Sequence, residues 1–318
     1  MGWTLTTDLD AFLAAAGPFL HARPVENSVP LTILDTLRRR GPDAYGPQPP
    51  LFGHWQGLGA VGGAGAAGGA GFGEGMPAAG AAASAPGEDV AAAVLQTPPF
   101  PPLLTAAPRA AAVALADVWG EAVEAGRAPV PGGVRGEAAA ARAFAAGWQR
   151  RTGAGLVPRR DTRVHRLAAL TPREPAPPGA ARVAGPADRT LLLRWQAAFA
   201  ADVGADVPGG DRAVDDAVAH GLRTLWELPD GRPVAMAGVT LPAAGAVRVV
   251  AVYTPPEHRG RGYAGAAVAA VSRAALDAGA REVLLVTDLA DPVSNGLYRA
   301  LGYVPVADTV ELDFTPAP

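Results

Sequence analysis

In the second half of the chain the apolar residues change period repeatedly, and each change marks an element. Behind Asp188, an N-capping residue type, Leu191, Leu192, Trp195 and Phe199 recur at near-helical spacing. A second helix is predicted over 212–220. Strands are predicted over 181–184, 224–228, 234–240 and 247–253, and the second and third of these flank Pro229-Asp230-Gly231-Arg232, a hairpin turn signal. A helix over 263–278, a strand over 283–287, a helix over 292–301 and a closing strand over 310–314 follow. The order is strand, two helices, three strands, helix, strand, helix, strand.

The first half carries a blurred form of the same order. Helical patterns over 8–20 and 26–39 precede strands over 51–55, 90–96 and 103–105; helices over 108–125 and 137–149 come next, and 163–167 closes the half. Even a fragment recurs, Ala93-Val94-Leu95-Gln96-Thr97-Pro98-Pro99 against Ala251-Val252-Tyr253-Thr254-Pro255-Pro256. The repetition predicts a tandem duplication with domains at 1–170 and 181–318, joined by the stiff, proline-rich run 171–180. Between 57 and 88 lies a glycine and alanine tract with hardly a charge or a large side chain. Such a tract buries too little apolar area to offset its ordering entropy, and a disordered insertion in a hairpin is expected there.

Composition narrows the chemistry. With 318 residues the chain is long enough for two ordinary domains, and 49% apolar against 18% charged residues is the balance of a globular protein. Cysteine is absent, which excludes disulfides, thiol nucleophiles and cysteine-bound zinc. The histidines (His21, His54, His165, His220, His258) lack ligand spacing, so no metal is expected. A formal charge of -3 gives no basic surface for nucleic acid. All lysine/arginine positions are arginine and isoleucine occurs only at Ile33, the codon bias of a high-GC, bacterial genome. No leader-like start and no uncharged membrane-length stretch is present, so a cytoplasmic protein without membrane contact, monomeric or homodimeric, is expected.

The most specific feature joins the strand at 247–253 to the helix at 263–278. Pro255 and Pro256 stop the strand, and a turn follows in which Arg259 and Arg261 alternate with Gly260 and Gly262. A helix N-terminus attracts phosphate through unpaired amides and the macrodipole; the glycines allow positive φ and close backbone approach, and the arginines add charge. Arg259-x-x-Gly262-x-Ala264 resembles the Gln/Arg-x-x-Gly-x-Gly/Ala signature of the GCN5-related N-acetyltransferase (GNAT) family. A second block, Ser294-Asn295-Gly296-Leu297-Tyr298-Arg299-Ala300-Leu301-Gly302-Tyr303, sits where that family places the helix of its general acid.

The resemblance covers 181–318 and extends to the first half by element order alone, which would then be a degenerate copy that has lost its cofactor loop. It implies an α/β fold of α+β type, each unit a mixed, mostly antiparallel sheet flanked by helices. It also implies acetyl-CoA as cosubstrate and transfer of its acetyl group, by direct attack, to a small-molecule or peptide amine. By correspondence the cofactor would meet the backbone of Val252 and Tyr253, the turn Arg259, Gly260, Arg261, Gly262, Tyr263 and Ala264, and Asp291, which stands where the family often has asparagine. Tyr298 would be the general acid.

A phenol (pKa about 10) is a weaker acid than a thiol (about 8.5), so donation to the leaving thiolate is uphill by roughly 2 kcal/mol, and a hydrogen bond to sulfur is the larger expected role. The position from which some relatives supply a glutamate base is Val286 here. Glu227 is the first candidate for that base, with Glu257 and Asp288 behind it. A base is needed because an alkylammonium is almost fully protonated at neutral pH. The alternative is a non-catalytic acyl-CoA-binding or regulatory protein, which the missing base and Asp291 favour.

Overall fold

The computed structural model describes residues 1–57, 90–204 and 210–317. The tract at 58–88 lies outside them. The first half runs β1 (Gly2–Thr6), α1 (Leu9–Ala22), α2 (Ser28–Arg40), β2 (Leu51–Gln56), β3 (Val90–Gln96), β4 (Leu103–Leu104), α3 (Arg109–Glu124), β5 (Gly133–Glu137), α4 (Ala138–Thr152) and β6 (Gly155–Leu167). The second runs β7 (Ala180–Val183), α5 (Arg189–Val203), α6 (Gly210–Ala219), β8 (Arg223–Glu227), β9 (Pro233–Val239), β10 (Ala246–Tyr253), α7 (Tyr263–Asp277), β11 (Glu282–Asp288), α8 (Pro292–Ala300) and β12 (Tyr303–Thr315). Position by position the two series contain the same kind of element.

The halves share one sheet. Its strand order is β1-β2-β3-β4-β5-β12-β6-β11-β10-β9-β8-β7, a palindrome about the β12–β6 pair. Each half has therefore given its closing strand to the other: β12 pairs with β5, and β6 pairs with β11. Pairing is antiparallel throughout except at β4–β5 and β10–β11. One face of the sheet is packed by α3 and α4 in the first half and by α7 and α8 in the second. On the other face α1 and α2 cover the first half, and α5 and α6 the second.

Both exchanged strands serve both cores. Val310 and Leu312 of β12 are buried among Leu115, Phe144 and Trp148 in the first half, whereas Tyr303, at the start of the same strand, is buried in the second. In β6, Leu156 packs against the first core and Leu167 against the second. Polar cross-strand pairs fix the register between them: Arg163 forks onto Asp308 (2.5 and 2.9 Å), and the hydroxyls of Thr162 and Thr309 lie 2.5 Å apart. Pro305 lies in β12 where the register shifts between Pro305 and Ala307, the kind of site that tolerates a residue without an N–H.

Three expectations change. The closing strand at 310–314 is the end of a much longer one, Tyr303–Thr315, and 163–167 is likewise the end of Gly155–Leu167. Strands β1 and β5 were not legible in the apolar pattern. The recurring fragment falls on non-equivalent strands, Ala93 to Pro99 at the end of β3 and Ala251 to Pro256 at the end of β10. Its counterpart in element order is β4, so that match carries nothing about a duplication. The run 171–180 is exposed through most of its length, and the sheet is continuous across the boundary it marks.

Candidate functional site

Strand β10 makes the site by doing two irregular things. Its register against β9 shifts between Val250 and Tyr253, a bulge at which Ala251 takes φ 52°. Its parallel pairing with β11 ends at Arg248 opposite Leu284, although the strands continue to Tyr253 and Asp288. Beyond that point they fork, and the β11-facing backbone of 249–253, including Val252 and Tyr253, is left without a strand partner. A polar chain laid in the fork could pair with it.

The corner closes the wide end of this fork. A 3-10 turn, Pro256–His258, leads into Gly260 (φ 75°) and Gly262 (φ 85°), and Gly262 caps α7 with no side chain of its own. The first helical bond at this end runs from Ala266 N–H to Gly262 O; the amides of 260–265 have no partner among the described residues. Two polar side-chain atoms beside the turn, Thr254 Oγ1 and His258 Nδ1, are buried and equally without a partner. Orphaned amides on a dipole's positive end, next to two unpartnered polar atoms, suit a pyrophosphate. The residues present therefore fit coenzyme A.

The side chains divide in role. Arg259 donates from Nε to Thr254 O (2.9 Å), forms an ion pair with Asp202 of α5, and lies over the Tyr253 ring at 5.9 Å. It braces the turn against α5 and β10. Arg261 is exposed and carries no hydrogen bond or ion pair among the described residues, which leaves it for an anion. Tyr263 is buried in the core under the sheet, so only its amide can serve, and Ala264 offers its amide beside it. Arg173, from the run between the halves, brings its Nη1 to within 3.3 Å of where a Cβ on Gly262 would stand. Nothing in the sequence pattern singled Arg173 out; its place follows from the path of the connecting run over the corner.

Tyr298 sits on α8 under the sheet, its ring edge-on to Tyr303 at 6.1 Å. Burial pushes its phenol well above the usual range, with Tyr303 and Asp291 adding to the effect. It has no hydrogen-bond partner among the described residues, in contrast to Tyr303, whose hydroxyl is 2.7 Å from Ser272 Oγ. Asp291 caps α8: it accepts from Val293 N (3.0 Å), Ser294 N (3.2 Å) and Ser294 Oγ (2.5 Å). Burial opposes its ionisation, but these bonds prevail and hold the carboxyl below its ordinary range. Sequence reasoning missed Asn295, which ties α8 to β11 through Asp288 O (2.8 Å) and Thr287 Oγ1 (2.7 Å).

The carboxylates expected to act as a base are dispersed. Glu227 is on β8, with β9 between it and the fork, and accepts from Arg182 Nε at 2.7 Å. Arg182 also binds Asp188, and these two acidic partners raise its own pKa. Glu257 is exposed in the 3-10 turn. Of the three, Asp288 alone lies on a strand that bounds the fork, where Arg160 stands 3.5 Å away. No group of acidic, histidine or cysteine side chains among the described residues could hold a metal ion.

Residues 196–303, from α5 to the first residue of β12, match the family model of the Acetyltransferase (GNAT) family. These residues form a GNAT domain. Two solved structures are similar over both halves. A GCN5-related N-acetyltransferase from Sphaerobacter thermophilus is 18% identical with a TM-score of 0.57, over 99% of this chain and 97% of that one. A protein from Drosophila is 11% identical with a TM-score of 0.61, over 99% of each chain. At such identities the likeness is one of fold. No curated protein matches the sequence significantly. Family and fold together support acyl transfer for the GNAT domain, and the corner at 259–264 and the tyrosine at 298 both fall inside the matched residues.

Proposed function

We propose that the protein is an N-acetyltransferase that moves an acetyl group from acetyl-CoA to the amine of a small molecule or peptide by direct attack. The observation that carries this reading is the forked, bulged strand β10 ending on a helix whose first amides are unpartnered. Bound acetyl-CoA would supply a thioester, whose carbonyl carbon bonds to the amine nitrogen as the carbon–sulfur bond breaks. The amides of 260–265 and the Arg261 guanidinium hold the pyrophosphate, and the backbone of Val252 and Tyr253 orients the pantetheine arm. Tyr298, kept protonated by burial, donates a hydrogen bond toward the departing sulfur. Transfer of its proton would be more uphill than for an ordinary phenol, because its pKa is raised. Among the carboxylates, Asp288 is best placed to take the proton lost by the amine.

Thiol release from acetyl-CoA with a panel of amines tests the reading. For Tyr298→Phe the expected outcome is a fall in kcat of about 10- to 100-fold, the worth of one hydrogen bond to a charged group, with the KM for acetyl-CoA unchanged. Unaltered kcat would remove Tyr298 from the chemistry. A non-catalytic acyl-CoA-binding role is the second reading, favoured by the engagement of Glu227 with Arg182. Binding of acetyl-CoA without thiol release for every amine would establish it.

A further inference from the structure

On the face of the sheet that carries α1, α2, α5 and α6, the two halves meet. Arg40 of α2 forms an ion pair with Asp216 of α6, and Ala243 and Ala244 of the β9–β10 turn join the apolar cluster that includes Ala44 and Tyr45. Two strand arginines point to this face, one from each half. Val134 packs under α3 and α4, so Arg135 beside it projects the other way; Val247 and Val249 pack under α7, so Arg248 between them does the same. The Arg135 guanidinium lies 5.6 Å from the centre of the Phe100 ring, which meets the Tyr45 ring edge-on at 6.4 Å.

Each arginine is left with an unsatisfied nitrogen. Arg135 Nε and Arg248 Nη1 are shut off from solvent and have no hydrogen-bond partner among the described residues. Glu311, across the β5–β12 pair, and Tyr45 both act on Arg135, and Tyr45 acts on Arg248. Burial lowers the pKa of both guanidiniums, that of Arg248 to about 10. In the other direction, burial raises the Tyr45 phenol, while a side-chain hydrogen bond with Thr36, then both arginines and Arg40, act to lower it.

A buried guanidinium nitrogen left without a hydrogen-bond partner is destabilising, and removing such a group is ordinarily an improvement. Two of them at one junction, one from each half, call for a ligand that completes them. The planar fork of arginine matches carboxylate and phosphate oxygens, and a neutral phenol donates to the same groups. We propose that Arg135 and Arg248, with Tyr45 beside them, bind the carboxylate or phosphate group of a small-molecule ligand. The two halves thus build one site between them. It lies on the opposite face from α7, apart from the corner at 259–264, and the inference does not rest on acyl transfer.

The test is a thermal melt of the full chain at constant ionic strength, with sodium succinate in one arm, inorganic phosphate in the other and sodium chloride as the reference. A ligand that binds the folded state raises the midpoint with its concentration. The expected result is a rise in one arm, succinate for a carboxylate ligand or phosphate for a phosphorylated one. Arg135→Gln and Arg248→Gln should each abolish it while the upward shift produced by acetyl-CoA persists. Should Arg248→Gln fail to fold, Arg248→Lys, which keeps the charge and loses the fork, is expected to weaken the rise at least tenfold in apparent affinity. No rise over chloride in either arm, or an equal rise in wild type and variants, would overturn the proposal.

Discussion

The two strand-to-helix corners of this molecule occupy equivalent places and share almost nothing. In the second half β10 bulges, parts from β11, and reaches α7 through residues 254–262, with two glycines at positive φ and two arginines. In the first half β4 has only Leu103–Leu104, and residues 105–108 lead straight to α3. There Thr105 fastens the strand end to β3: Ala93 N–H donates to its Oγ1 at 2.9 Å, and its own N–H donates to Ala93 O at 3.0 Å. The same order of elements thus yields one helix terminus prepared for an anion and one joined closely to the sheet. Anion binding at a helix N-terminus depends on what the preceding loop leaves free, and the dipole alone does not create it.

The comparison treats the halves as separable, and the largest expected effect breaks that assumption. A fragment of residues 181–318 lacks β6, which pairs with β11 and with β12, and a fragment of 1–170 lacks Val310 and Leu312 from its core. Each of those apolar side chains contributes about 1.5–3 kcal/mol when buried, against a total stability of roughly 5–15 kcal/mol for a typical domain. Neither fragment is expected to show a cooperative thermal transition by circular dichroism, and mixing the two should restore one. Full stability of 181–318 alone would show that β6 is dispensable to the GNAT domain.

The next effect sharpens the contrast between the corners. At Gly262 (φ 85°) a β-branched residue is strained by roughly 1–2 kcal/mol, and its side chain would also stand where a phosphate must approach. Gly262→Val is expected to weaken acetyl-CoA binding by about 30-fold or more in titration calorimetry. Ala106→Val, at an exposed position of the first-half corner, is expected to leave the affinity unchanged. Equal effects from the two substitutions would mean that both corners contact the cofactor.

Which of these features the sequence displayed follows from the kind of interaction that makes them. Strands 224–228, 234–240 and 247–253 were legible because their apolar residues face cores on both sides of the sheet; in β9, Val234 and Ala235 through Ala237 are all buried. The corner was legible because phosphate binding restricts residue types over a few consecutive positions. Most of β6 and of β12 was not, because arginines on β6 are matched by aspartates on β12, as Arg163 is by Asp308, and Thr162 by Thr309. A local pattern cannot show a partner more than a hundred residues away. Separation along the chain likewise hid the approach of Arg173 to Gly262 and the action of Arg135 and Arg248 on Tyr45. Glu227 was a plausible base by residue type, and its binding to Arg182 could be seen only once β7 lay beside β8.

The smallest effect tests whether those polar pairs hold the exchanged strands in register. Arg163 donates to Asp308 across β6 and β12, and that contact, first among the causes, holds the Asp308 carboxyl below its ordinary range. A carboxyl whose folded pKa lies below its unfolded value of about 3.9 adds stability above that pH, and the gain disappears as pH falls through the folded value. The pair is partly exposed, so solvent screening limits it to less than about 1 kcal/mol. Asp308→Asn is therefore expected to melt slightly below wild type at pH 7, by a margin that shrinks with added salt and as pH falls through the folded value. A margin that persists once the folded carboxyl is protonated would assign the loss to packing in β12 and leave the register to the apolar positions on either side.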